Sequence, residues 1–137
     1  MKKDLSQFET FVTKTCRNIT NHEVINNELI VTCKTSNIVD LLEDLKQKDG
    51  LNFEMLLDIT AVDYPQRTKR FELVYNLLSI KNNLRIRIKN FLNDNEIVPS
   101  ISKLYKSASW YEREVWDMYG ISFSGNNDLR RILTDYG

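Results

Sequence analysis

Residues 71–89 read FELVYNLLSIKNNLRIRIK. Residues 71–80 form a long β-type run, and further on Leu84, Ile86 and Ile88 alternate with Arg85, Arg87 and Lys89. That period of two belongs to a strand with one buried face and one wet face. Lys81-Asn82-Asn83 between the runs is turn chemistry. Strands joined by so short a turn pair antiparallel, because a parallel pair needs a long crossover. The stretch therefore sets the fold class as α+β, a mostly antiparallel sheet with amphipathic helices packed on it.

Reading outward, residues 53–63 are rich in Leu, Ile and Val and predict a preceding strand. Tyr64-Pro65 ends it, since proline cannot donate to a ladder, and Arg67 to Arg70 form a basic loop. Ile38, Leu41, Leu42 and Leu45 recur at helical spacing, with Ser36 as N-cap and Gly50 as the left-handed stop. Leu5, Phe8, Phe11, Val12 and Ile19 predict a first helix over 5–19. His22 to Ile25 and Leu29 to Cys33 predict two short strands around an Asn26-Asn27 turn. Downstream of a polar connection at 92–96, Pro99-Ser100 predicts a short helix carrying Ile101, Leu104 and Tyr105. With 137 residues and no internal repeat, one domain over 1–137 is expected.

Composition excludes several functions. Lys plus Arg number 19 and Asp plus Glu number 19, so the global basic footprint of a nucleic-acid binder is absent. Cys16 and Cys33 are too few for a disulfide scaffold or an iron–sulfur ligand set and suit a reducing compartment. The four glycines form no nucleotide-cradling motif, and the one histidine, His22, reads as a surface residue and not a base or zinc ligand. Asp58 and Asp63 fall on opposite faces of their strand and make no carboxylate pair. These residues provide no reason to assign catalysis, and no cofactor or metal is expected. The start, Met1-Lys2-Lys3-Asp4, lacks the apolar stretch of a secretory signal, and Asp4 and Glu9 argue against an organellar presequence. No window approaches the ~18 apolar residues of a membrane span. Charge is segregated all the same: Asp40, Glu43, Asp44, Asp49, Glu54, Asp58 and Asp63 precede Arg67, Lys69, Arg70, Lys81, Arg85, Arg87 and Lys89. Such blocks read as solvated helix and strand faces or as a patch for a complementary partner.

Residues 107–137 read SASWYEREVWDMYGISFSGNNDLRRILTDYG. Ser109 and Glu112 have the spacing of a capping box, and Gly120 suits the helix stop. At about 100° per residue, Ala108, Tyr111, Val115, Trp116, Met118 and Tyr119 share an apolar arc that also contains Glu112. Trp110, Arg113, Glu114 and Asp117 lie opposite. Glu112 reads either as the partner of a capping box or as a buried charge paired with Arg130 or Arg131. Trp110 on the polar side beside Arg113 has the composition of an interface anchor, and Asp128 suits the cap of a short turn bearing Leu129, Ile132 and Leu133.

Glu112-Arg113-Glu114, Asp117-Met118-Tyr119 and Arg130-Arg131-Ile132-Leu133 closely resemble the signature of the 30 kDa subunit of respiratory complex I, the proton-pumping NADH:quinone oxidoreductase. The segments 57–65 and 70–79, Pro99-Ser100-Ile101 and Trp110-Tyr111 carry the resemblance upstream to about residue 53. Asn126-Asn127 departs from the His or Lys usual in that family, and the family pattern continues past Gly137 in a tail on a neighbouring subunit, so this chain is expected to lack the tail. The resemblance implies a cofactor-free structural subunit of the peripheral arm, supporting electron transfer from NADH through FMN and iron–sulfur centres in other subunits to quinone. It implies contact with the 49 kDa-type subunit and with the subunit holding the terminal cluster, no nucleic acid and no membrane span. The implied location is the cytoplasmic face of a bacterial inner membrane, or the mitochondrial matrix side for an organelle-encoded chain. Trp110, Glu112, Arg113, Glu114, Asp117, Asp128, Arg130 and Arg131 are the expected contact or signature residues. Two other readings compete: an RNA-binding α+β module stacking bases on Phe71 and Tyr75 beside the basic strand, and the related subunit of a membrane-bound hydrogenase.

Overall fold

In the computed structural model, which describes residues 5–126, the stretch 71–89 folds as the hairpin read from its alternation. The elements are α1 (Leu5–Thr15), β1 (Ile19–Ile25), β2 (Glu28–Cys33), α2 (Ile38–Gln47), β3 (Met55–Asp63), β4 (Phe71–Ser79), β5 (Leu84–Leu92), β6 (Val98–Pro99), α3 (Ala108–Tyr119) and β7 (Phe123–Ser124). Among the described residues β1 to β5 form a five-stranded sheet in the order β1-β2-β5-β4-β3. Its β2–β5 pair is parallel and its other pairs are antiparallel. The parallel pair has a long connection, α2 and the β3–β4 hairpin, as parallel pairing requires.

One face of the sheet is dry. Leu29, Val31, Ile59, Leu73, Tyr75, Leu77, Ile86 and Ile88 meet Phe8 and Val12 of α1, Ile38, Leu41, Leu42 and Leu45 of α2, and Val115 of α3 in a single core. A fully buried leucine such as Leu41 contributes about 2 kcal/mol by leaving water. The other face carries Arg85, Arg87, Lys89, Asn76 and Thr60. Asn26 (φ 51°) and Asn27 (φ 63°) are both left-handed, the backbone that a two-residue hairpin loop needs.

Several boundaries differ from the sequence reading. α1 stops at Thr15, and Ile19 opens β1 instead of closing the helix, because Asn18 turns the chain with φ 72°. Ser36 sits inside a 3-10 turn, Thr35–Asn37, and Asn37 precedes α2 without a side-chain cap. Gly50 is left-handed at φ 85° but shapes the turn beyond Lys48, which ends α2 in an extended conformation. The helix expected after Pro99 does not form. Val98 N–H donates to Ser122 and Ser100 N–H to Ser124, so Pro99, without an N–H, occupies the β6 position that needs no donor. A turn follows in which the N–H groups of Leu104 and Tyr105 both reach the Ile101 carbonyl.

Candidate functional site

α3 packs along β3. Its stop follows the expected chemistry, since Gly120 is left-handed (φ 72°) and returns its N–H to the Trp116 carbonyl at 2.9 Å. Its start does not. The helix begins at Ala108 behind Ser107, which makes no side-chain cap, so Ser109 is already inside the helix and the Ser109–Glu112 capping box is absent. Helix entry two residues early removes the geometry the box needs.

Glu112 is fully buried and serves a different purpose. Its Oε1 accepts from the Ser100 hydroxyl at 2.6 Å and from the Asn126 amide at 2.8 Å, and its Oε2 accepts from the Ile101 N–H at 2.9 Å. The Ser100 hydroxyl also approaches Ser102 Oγ at 2.9 Å. One carboxylate thus fastens α3 to the segment after β6 and the segment after β7. Burial pushes its carboxyl above the ordinary glutamate range, and the bonds from Ser100, Ile101 and Asn126 pull it back. Tyr75, on the dry face of β4, is also fully buried, and its hydroxyl has no hydrogen-bond partner among the described residues. Burial raises the Tyr75 phenol well above its usual range, and the nearby Glu112 charge adds to the effect. The sequence reading marked Glu112, set Ser100 and Asn126 within the family comparison and read Tyr75 as a stacking residue, but gave no sign that the three gather around Glu112, which happens only through β6, β7 and β4. Asp128, Arg130 and Arg131, the last two read as possible ion partners of Glu112, lie outside the described residues.

The opposite side of α3 faces solvent. Trp110 is 60% exposed and Met118 71%, while Glu114 and Asp117 are exposed carboxylates without an ion-pair partner among the described residues. The Arg113 guanidinium lies 5.8 Å from the Trp110 ring centroid. Met118 corrects the apolar arc of the sequence reading. The residues the sheet covers are Ala108, Glu112 and Val115, and Met118 sits at the arc's margin next to Glu114.

Several charges elsewhere are engaged. Arg70 grips Asp63 with two bonds, of 2.7 and 2.8 Å, and this grip lowers the Asp63 carboxyl below its usual range. Asp58 accepts from Asn76 at 2.6 Å, Asn76 accepts from Arg87 at 3.1 Å, and Arg87 meets Glu28 at 3.1 Å. Lys89 meets Glu72 at 3.4 Å. His22 bonds Glu9 at 2.7 Å and so joins β1 to α1. The RNA-stacking reading fails on this geometry. Phe71 and Tyr75 are buried on the dry face, whereas Arg85, Arg87 and Lys89 lie on the other. Among the described residues no group of three or more His, Cys, Asp or Glu is placed to hold a metal ion, and no helix is long and apolar enough to cross a membrane.

Comparisons with known proteins give consistent matches. A family model described as the respiratory-chain NADH dehydrogenase, 30 Kd subunit, matches residues 31–137. An NADH-quinone oxidoreductase subunit from Ruegeria sp. (strain TM1040) is 50% identical over 115 residues, which are 84% of this chain and 57% of that protein. This chain thus spans little more than half the length of that relative. Among solved structures, the trypsin-resistant fragment (1-134) of Nqo5 superposes with a TM-score of 0.72 at 24% identity, over 89% of this chain and 96% of that one. A chain of the membrane-bound sulfane sulfur reductase, an archaeal respiratory membrane complex, superposes with a TM-score of 0.77 at 27% identity, over 88% of this chain and 71% of that one.

Proposed function

Since this chain belongs to the family of the respiratory-chain NADH dehydrogenase 30 Kd subunit, we propose that it works as a non-redox structural subunit in the peripheral arm of a proton-translocating NADH:quinone oxidoreductase. Electrons pass from NADH to quinone through FMN and iron–sulfur centres in neighbouring subunits, and this chain holds those neighbours in place. The observation that carries the reading is the outer side of α3, where Trp110 and Met118 stand in solvent beside two carboxylates that no residue of the described chain pairs. Large exposed apolar side chains with mixed charge form the composition of an interface centre. Trp110, Arg113, Glu114 and Asp117 are its contact residues in this proposal, with Asp128, Arg130 and Arg131 added from the motif. Glu112 acts behind them by fixing the helix.

The partners are the 49 kDa-type subunit and the subunit holding the terminal cluster, at the cytoplasmic or matrix face of the membrane, and the chain acts there as one domain. Purifying the native membrane assembly through an affinity tag on this chain tests the reading. NADH:quinone oxidoreductase activity copurifying with the chain is the expected result. Recovery of the chain without that activity, from membranes that possess it, overturns the proposal.

A further inference from the structure

Among the described residues the sheet has two edges, β1 and β3. β1 is polar along most of its length, with Thr20, Asn21, His22 and Glu23, its register shifts between Ile19 and Asn21, and His22 ties it to α1. These are ordinary ways to blunt an edge. β3 is nine residues long; its register also shifts, between Leu56 and Asp58, but the segment beyond that shift, Ile59-Thr60-Ala61-Val62, is regularly paired and contains neither charge nor proline. Ile59 and Ala61 point into the core, while Thr60 and Val62 are exposed.

The hydrogen-bonding phase of this edge follows from its hairpin. Tyr64 N–H donates to the Arg70 carbonyl at 2.7 Å, so the pair 64/70 is hydrogen-bonded. In an antiparallel ladder such pairs alternate, so Val62/Glu72 and Thr60/Val74 are the next bonded pairs. The N–H and C=O groups of Ile59, Ala61 and Asp63 consequently point away from β4. Nothing on the backbone of the described residues bonds them. A row of donors and acceptors repeating every second residue, on an uncharged β-forming segment, is a template for another strand.

Resting on the subunit reading above, we infer that the open edge of β3 accepts an extended segment of a neighbouring subunit, which adds to the sheet as a sixth strand. Charge selects its chemistry. Asp63, at one end of the uncharged segment, is already neutralised by Arg70, whereas Asp58 at the other end is bonded to the neutral Asn76, and α3, packed along β3, presents Glu114 and Asp117 against Arg113. A segment that complements these groups has alternating apolar side chains and lysine or arginine at the end that meets Asp58.

Hydrogen exchange tests this without any substitution, by comparing the isolated full chain with the native assembly purified from membranes. In the isolated chain the amides of Ile59, Ala61 and Asp63 should exchange fast while those of Thr60 and Val62 are protected. In the assembly all five should be protected. Fast exchange of the outward amides in an assembly that contains the chain overturns the inference and leaves the subunit reading intact. Absence of the chain from the assembly overturns the subunit reading instead. Protection already present in the isolated monomer would assign the edge to this chain's own residues, and concentration-dependent protection would assign it to a second copy; either result overturns the inference. Ala61→Pro removes one outward donor that β4 does not use. Because Ala61 also packs in the core, the variant is compared at a temperature where the isolated chain is folded, and there it should weaken retention in the assembly about tenfold, the equivalent of roughly one edge hydrogen bond.

Discussion

The two sides of α3 are separated by half a helical turn and differ in who completes them. On the sheet side, Glu112 is fully buried and each of its oxygens is satisfied by this chain, through Ser100, Ile101 and Asn126. On the outer side, Trp110 and Met118 stay in water and Glu114 and Asp117 have no ion partner among the described residues. A buried carboxylate left without donors is costly, so the fold must supply them itself. An exposed indole imposes no such demand. The contrast teaches that on this helix a charge is structural while one of the largest apolar side chains is left in water, the reverse of the usual assignment by residue type.

The largest effect expected from testing this contrast is on the buried side. Glu112→Ala leaves the Ile101 N–H and the Asn126 amide buried without their acceptor and should lower the unfolding free energy by about 3 kcal/mol, read by urea titration of the isolated chain. A loss below ~0.5 kcal/mol would place the carboxylate among dispensable surface groups. Next comes the outer side. Trp110→Ala should weaken retention in the assembly by about 2 kcal/mol, as for a central interface aromatic, and change the stability of the isolated chain by less than ~0.5 kcal/mol. Equal losses in both measurements would make Trp110 a packing residue and erase the distinction.

Two smaller effects sharpen the buried side. The Tyr75 hydroxyl is buried without a partner among the described residues, so Tyr75→Phe should leave stability within about 1 kcal/mol of the original or raise it. A loss well beyond that value in calorimetry would show that the hydroxyl is bonded after all. The pH dependence is smaller still. Burial raises the Glu112 carboxyl above its ordinary value, so the folded chain holds that proton more tightly than the unfolded one. The stability this contributes is complete below the ordinary glutamate range and is lost as pH rises through the raised value. Asp63, lowered by Arg70, has the opposite sign: its contribution is present above the ordinary aspartate range and disappears as pH falls. Glu112→Gln removes the first trend alone, so the variant should gain stability relative to the original chain as pH rises from about 4 to about 7. A relative loss over that range would contradict the assigned direction.

Much of the fold was legible because its signals are local. The alternation over 84–89 and the helical spacing of Ile38, Leu41, Leu42 and Leu45 correspond to buried faces in the structure. Failures cluster where a distant segment intervened. Pro99 looked like a helix start because proline is tolerated there, but β7, more than twenty residues later, supplies a strand partner that leaves the missing N–H without consequence. Met118 looked buried because the wheel shows an arc and not how much of it a neighbour covers. Of the candidate site, Trp110, Glu114 and Asp117 were readable as an outward row, whereas the donors to Glu112 were not.

Sequence alone determined the period of α2 and of β5, the left-handed turns at Asn26-Asn27 and Gly120, and the position of Glu112 within an apolar arc, since each follows from neighbours only a few bonds away. Tertiary structure alone decided that β2 lies parallel to β5, that Ser100 and Asn126 converge on Glu112, and that β3 stands at an edge of the sheet among the described residues. Those outcomes depend on which distant segments are brought together, and side-chain spacing along a chain does not encode them.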